Sequence, residues 1–336
     1  MSQPKVSIVI PVYNDAPHIG AAIGTAMAQT ERNIEIIVVD DCSTDQTPVL
    51  VQKFVARDQR VRYVRMNTNS GPSACRNRGI DLAQGEWIAL LDSDDRYDRT
   101  RLTNLIDLAR RESADMVSDN LLLCPVADEP ERVMIPPSVL SAPRQMSFLE
   151  FMHGCMWSKK LKRSAYVFMK PMIRREFLQQ TGVRYDPSSR NGEDFLFYID
   201  CFMVGAKWFI TPDATYFYTV HDISLTDRVG VEDRRLMTAK LEAALAHRIM
   251  RHDPALTAIT RKHWRITASD YYFRGFKAAV RAHDVRAAVA ILTHSKMAPA
   301  YLTARLARRV PAFVAKRIGL VAAPERKDVA QSVVAR

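Results

Sequence analysis

The chain has little glycine and little cysteine: 336 residues hold 12 Gly and 5 Cys. That excludes a collagen-like or glycine-rich low-complexity chain. The cysteines, at 42, 75, 124, 155 and 201, are odd in number and widely spaced, and none forms a CxxC pair. The pattern argues against a disulfide scaffold or a structural zinc site and suits a reducing compartment. No apolar run reaches about 18 residues, so nothing reads as a bilayer span. The opening MSQPKVSIVIPVYN lacks a basic stretch and a long apolar core, so it does not read as a signal peptide. What is present is 47% hydrophobic and 25% charged residues. That is enough for a sizeable core and, at roughly 150 residues per domain, about two domains. Together these features suggest a soluble cytoplasmic protein.

The net charge of +11 is unevenly placed. Residues 1–230 carry 27 Lys/Arg against 29 Asp/Glu, and residues 231–336 carry 21 against 8. The excess therefore lies entirely in the last third, which reads as a basic helical region (229–336) following a first domain at 1–228. A basic segment attracts polyanions: nucleic acid, anionic lipid headgroups or phosphorylated substrates. No zinc finger, RNA-recognition signature or aromatic-interleaved basic strand accompanies it, so nucleic acid is not expected as a partner.

Strand and helix patterns alternate along the first domain. Val6–Val12, Ile34–Asp40, Val61–Met66 and Trp87–Leu91 read as buried strands. His18–Gln29, Thr47–Ala56, Ser73–Ala83 and Arg101–Arg111 show helical spacing. This order predicts an α/β fold with a mostly parallel sheet and helices on both faces. A short strand is expected near Met116–Leu122, and the five prolines of 124–146 mark a loop. Asp194–Val204 reads as a helix, and Lys207–Ile210 and Thr215–Val220 as two strands.

In such sheets ligands sit beyond the carboxyl ends of the strands. Three of those ends are rich in polar residues: Pro11-Val-Tyr13-Asn14-Asp15, Asp40-Asp41-Cys-Ser-Thr-Asp45 and Asp92-Ser-Asp94-Asp95. A single Asp after a strand is ordinarily a cap or turn residue, and Asp94 or Asp95 could cap the helix at Arg101. Two carboxylates at i and i+2 repel each other, however, unless a cation sits between them. Hard divalent ions take carboxylate oxygens and share their shell with phosphates. After the third strand, Gly71-Pro72 forces a turn, Ser73 suits an N-cap, and Arg76 falls in the first turn. A cation there is disfavoured by the helix dipole, unless a phosphate or a strand-end carboxylate such as Asp40 or Asp92 compensates it. Gly192-Glu193-Asp194 places two acids at the start of an apolar helix, as caps or as a general base.

Taken together, these stretches resemble the inverting family 2 glycosyltransferases of GT-A fold, over about residues 5–225, with a leaning toward bacterial exopolysaccharide and succinoglycan-type enzymes. The resemblance implies a nucleotide-sugar donor, UDP-linked, and transfer of a single sugar to a saccharide acceptor. The QxxRW signature of processive synthases is absent. Pro11, Tyr13 and Asn14 would line the uracil pocket, and Asp40 and Asp41 would accept hydrogen bonds from base and ribose. Asp92 and Asp94 would reach the ribose and a Mn2+ or Mg2+ ion, with His221 as a further metal or diphosphate contact and Arg76 in support. Asp194 would be the catalytic base. Trp157 and Lys170–Arg175 are candidates for the acceptor side. Cys42 and Cys75 stand where such enzymes often have Gly and Ala. Two rival readings are a nucleotidyltransferase, disfavoured because Pro11–Asn14 has no glycine and no basic residue, and a degenerate, non-catalytic binder of nucleotide sugar or lipid. Between 299 and 320, Leu302, Leu306, Val310, Phe313 and Val314 alternate with Arg305, Arg308, Arg309, Lys316 and Arg317. This stripe suits an anionic membrane surface, or packing on the catalytic domain with its charges solvated; a membrane location would also suit a polyprenyl-diphosphate-linked acceptor.

Overall fold

A computed structural model describes residues 3–125, 131–156, 166–220 and 230–294. The elements in chain order begin β1 (Val6–Val12), α1 (Ile19–Met27), β2 (Ile34–Asp40), α2 (Thr47–Val55), β3 (Val61–Arg65), α3 (Pro72–Leu82), β4 (Trp87–Leu90), β5 (Arg96–Tyr97) and α4 (Arg101–Glu112). They continue β6 (Met116–Pro125), β7 (Arg132–Val133), β8 (Arg144–Met146), α5 (Phe148–Gly154), β9 (Met172–Arg174), α6 (Arg175–Thr181), α7 (Glu193–Met203) and β10 (Trp208–Val220). Four helices follow: α8 (Val231–Ala246), α9 (Arg248–His252), α10 (Pro254–Arg281) and α11 (Val285–His294).

The strands form one sheet in the order β3-β2-β1-β4-β9-β6-β10-β5, with β7 beside β6 and β8 beside β10. The pairs β1–β2, β2–β3, β1–β4 and β6–β10 are parallel. All seven residues of both β1 and β2 are buried, as expected for strands covered on both faces. The expected α/β class, mostly parallel at its centre, is what the chain adopts. Strand order reverses at β1, with β2 on one side and β4 on the other, so the carboxyl ends of these three strands face one crevice.

Three local readings need correction. The Pro-rich stretch 124–146 carries the short strands β7 and β8 rather than only a loop. The two strands expected at 207–220 are a single strand, β10, whose register against β6 shifts between Ile210 and Ala214 and again before Tyr216. The polar Thr211-Pro-Asp213 marks those bulges, and in the sequence it looked like a break. Gly71, not Ser73, is the N-cap of α3, at φ 88°. Pro72 opens the helix, a position where its missing N–H is no loss. The Ser73 hydroxyl donates instead to the Ser189 carbonyl at 2.8 Å.

The antiparallel strand β9 lies between β4 and β6, with Ala89 opposite Met172. Because it runs against β4, the residues just before it lie beside the carboxyl end of β4. A cluster of aromatic rings backs α7, where Phe151 packs on Phe195, Tyr198, Phe202 and Trp208. By contacts the chain forms two units, 1–267 and 268–336, with the boundary inside α10. In the second unit the described residues are the end of α10 and α11, where Val280, Val285 and Val289 are exposed. The amphipathic stretch 299–320 lies outside the described residues, as do Trp157 and His221. Among the described residues no helix is long and apolar enough to cross a membrane.

Helix α3 sits against the sheet so closely that a Cβ on Gly79 would come within 2.2 Å of Val9 Cγ1. Overpacking of this kind destabilises by about 1–3 kcal/mol. Gly79→Ala is therefore expected to lower the unfolding free energy, measured by urea titration, by an amount in that range. The combination Val9→Ala with Gly79→Ala should lose less than the two single changes summed. Additive losses would show that α3 does not rest on Val9.

Candidate active site

The first two strand ends are locked together by their own polar groups. Asn14, at φ 49°, accepts from Thr44 N at 2.7 Å and its own N–H donates to Ser43 Oγ at 2.9 Å. Asp40 is fully buried. It accepts from Ser43 N at 2.9 Å, Tyr63 Oη at 2.5 Å and Arg65 Nη1 at 3.2 Å. Asp41 accepts from Ser70 N at 2.7 Å and Gly71 N at 2.8 Å, tying this loop to the entry of α3. Pro11 is buried in β1, while Tyr13 beside it is half exposed. Cys42 takes a φ of 70°, a left-handed conformation that glycine adopts without strain.

At the end of β4, neither Asp94 nor Asp95 caps α4, whose N-cap is Thr100. Asp95 is buried and accepts from Tyr216 Oη at 2.6 Å and Thr219 N at 2.8 Å. Tyr216 Oη also accepts from Asp92 N at 3.2 Å, and Thr219 Oγ1 donates to the Asp94 carbonyl at 2.5 Å. Strand β10 thus sets the conformation of the whole acidic turn. Burial, with the charges of Asp94 and Asp92 adding to it, holds the Asp95 carboxyl well above the usual carboxylate range. Ser93 between them donates to Asp15 at 2.6 Å, which in turn pairs with His18 Nδ1 at 2.5 Å.

The two acidic motifs meet at a pair of buried cations. Arg76 donates to Asp92 Oδ1 at 2.9 Å and to Glu193 Oε1 at 2.6 Å, and its guanidinium lies 5.4 Å from the Tyr185 ring. Since α3 begins at Pro72, Arg76 sits one position beyond the first turn, and carboxylates surround it. Lys170, the residue two before β9, places Nζ 2.8 Å from Asp92 Oδ2 and 2.7 Å from Asp194 Oδ2. The Tyr185 hydroxyl donates to Asp194 Oδ1 at 3.2 Å. Burial alone would raise the Asp92 carboxyl, but the Lys170 and Arg76 charges hold it well below the carboxylate range. Burial works against charge on Lys170 too, yet Asp194 and Asp92 keep its ammonium above the ordinary lysine value. Glu193 goes the other way: burial raises it, Asp194 adds to the rise, and Arg76 opposes it. Three carboxylates against two cations make that rise understandable.

Sequence reasoning brought Asp92, Asp194 and Arg76 to one crevice but assigned Lys170 to an acceptor-side stretch. Strand β9 is only three residues long, too short to show a period, so nothing in the sequence marked Lys170, two residues before it, as central. A second unforeseen participant is Asp233 in α8. It accepts from Arg190 N at 3.0 Å, Asn191 N at 3.2 Å and Gly230 N at 3.0 Å, and so fixes the loop leading into Glu193 and Asp194. The terminal methyl of Met237, one turn further along α8, packs over Gly192, whose φ of 77° favours glycine.

A divalent ion would suit the excess negative charge of this turn. Both Asp92 oxygens bind Arg76 and Lys170, and Asp94 is partly exposed. Among the described residues no three His, Cys, Asp or Glu side chains gather to hold a metal by themselves. An ion there would share its shell with a phosphate ligand, as Mg2+ and Mn2+ do.

The model of the family described as "Glycosyl transferase family 2" matches residues 7–179. The succinoglycan biosynthesis protein ExoO of Rhizobium meliloti is 35% identical over 244 residues, 72% of this chain and 68% of the relative. WfaP of Escherichia coli, a UDP-Glc:alpha-D-GlcNAc-diphosphoundecaprenol beta-1,3-glucosyltransferase, is 32% identical over 150 residues, 45% of this chain and 56% of the relative. Among solved structures, Staphylococcus aureus TarS 1–349 in complex with UDP superposes with a TM-score of 0.63 at 20% identity, covering 96% of this chain and 94% of that 1–349 chain. The mannosyltransferase PcManGT of Pyrobaculum calidifontis, in complex with GDP-Man and Mn2+, gives 0.55 at 19% identity, covering 94% and 88%. These two structures match the fold, and the family match carries the activity: the chain belongs to glycosyl transferase family 2 and is a glycosyltransferase.

Proposed function

We propose that the protein transfers one sugar from a UDP-sugar to a saccharide acceptor in bacterial surface-polysaccharide synthesis, with inversion at the anomeric carbon. The observation that carries this reading is the meeting of Asp92 and Asp194, from motifs about a hundred residues apart, on the one ammonium of Lys170. The bound UDP of TarS and the names of ExoO and WfaP support the donor and the pathway class.

The nucleotide would lie across the ends of β1 and β2. Pro11, Tyr13 and Asn14 form the wall for the base. Asp40 and Asp41, buried and hydrogen-bonded within the loop, shape it around the base and ribose. Asp92, oriented by Arg76 and Lys170, faces the ribose. Asp94 would hold the divalent ion. When bound, that ion neutralises charge on the leaving diphosphate. Asp194 takes the proton of the acceptor hydroxyl while the hydroxyl oxygen forms its bond to the anomeric carbon. The bond from that carbon to the diphosphate oxygen breaks, and the nucleoside diphosphate departs. Side-chain bases of this kind contribute about 10²–10⁴-fold. The acceptor is proposed to be polyprenyl-diphosphate-linked, as in the name of WfaP. The basic stretch 299–320 would then lie on the anionic face of the membrane, each cation near the surface contributing about 1 kcal/mol. Residues 229–336 would form the attachment region and 1–228 the catalytic domain.

Two measurements test this. A donor screen that follows nucleoside diphosphate release should give a UDP-sugar signal that EDTA abolishes. Asp94→Ala should lose it with the fold intact, and Asp194→Asn should lower turnover by about 10²–10⁴-fold with donor affinity retained. Full activity in EDTA sinks the metal role, and an unimpaired Asp194→Asn sinks the base. For the membrane, the full chain should sediment with anionic liposomes and a chain ending near residue 295 should not. Equal binding by both, or by neither, would remove the anchor.

A further inference from the structure

Lys170 is buried to 4% exposure, yet its ammonium serves two carboxylates that arise from different elements. Asp92 follows β4 and Asp194 opens α7. The lysine is itself held. Its carbonyl accepts from Arg101 Nη2 at 2.7 Å, and that guanidinium is paired with Asp119 at 2.8 Å. The Tyr97 and Tyr216 rings lie 4.3 and 5.1 Å from it. The Tyr216 ring is the same one whose hydroxyl binds Asp92 N and Asp95. One rigid chain of contacts therefore runs from the acidic turn through Arg101 to Lys170 and on to Asp194.

A buried ion cluster of this sort is weak evidence for stability, because apolar groups of equal volume often do as well. Its geometry, however, fixes a distance: two oxygens each less than 3 Å from one nitrogen cannot drift apart. We propose that Lys170 is a positioning residue for sugar transfer, holding the Asp194 carboxylate at a set distance from Asp92 and so from the donor. The inference rests on Asp194 being the base. Arg76 still holds Asp92 when the lysine is lost, so donor binding should survive and the chemical step should suffer. A misplacement of about 1 Å can reduce rate by roughly 10²-fold.

The test is a double-mutant cycle on the full chain, with single-turnover rates, donor KM and thermal melting measured together. Lys170→Met keeps the length and loses the charge, and it should lower kcat by about 10²-fold with donor KM within about threefold. Lys170→Arg keeps the charge, and so protects the fold if the first variant unfolds. Its planar fork cannot place one point charge between the two carboxylates, so kcat should again fall with KM retained. Each change combined with Asp194→Asn should be no slower than Asp194→Asn alone, since groups acting as a unit are non-additive. A double variant slower than Asp194→Asn by the full factor of the lysine change would overturn the proposal. So would a Lys170→Met or Lys170→Arg enzyme with unaltered kcat, or one whose loss lies wholly in donor KM. If Asp194→Asn by itself keeps full activity, the base assignment fails first and this inference falls with it.

Discussion

Two cations removed from water stand between three carboxylates at the heart of the crevice, and the rest of the structure can be understood as what keeps them there. Arg76 binds Asp92 and Glu193, and Lys170 binds Asp92 and Asp194. An unpaired buried charge is expensive, and losing one partner of such a cluster typically costs about 3–5 kcal/mol. Each element must therefore deliver its side chain closely. Helix α3 does so by resting on Val9 through Gly79. Strand β9 does so by running antiparallel to β4. Helix α7 does so because Asp233 clamps the loop before it.

The acidic turn after β4 divides its labour as a consequence. Asp92 is turned inward to the cations, Asp95 is buried under Tyr216 and Thr219, and Asp94 is partly exposed. Three carboxylates that look equivalent in the sequence are made different by their neighbours. The same holds for Glu193 and Asp194. The first is raised by burial, while the second sits between Lys170 and the Tyr185 hydroxyl.

Much of this was legible beforehand, because strand and helix periods are local. The four parallel strands, the helices between them and the polar strand ends follow from runs such as Val6–Val12 and Ile34–Asp40. What escaped was long-range or too short to have a period. Lys170 belongs to a site that depends on the direction of a three-residue strand. The joining of two strands into β10 depends on bulges at a Pro-Asp pair. The cap of α3 shifted from Ser73 to Gly71 because Ser189, more than a hundred residues on, takes the serine hydroxyl. Asp233 lies in a helix beyond the family match, where no motif pointed to a loop forty residues away.

The central claim is that one carboxylate, Asp194, presents the acceptor hydroxyl to the donor in a single in-line displacement. The most direct measurement is the anomeric configuration of the transferred sugar, read by proton NMR of the product made from a donor of known configuration. The account predicts the opposite configuration to that of the donor. A product that keeps the donor's configuration would contradict it.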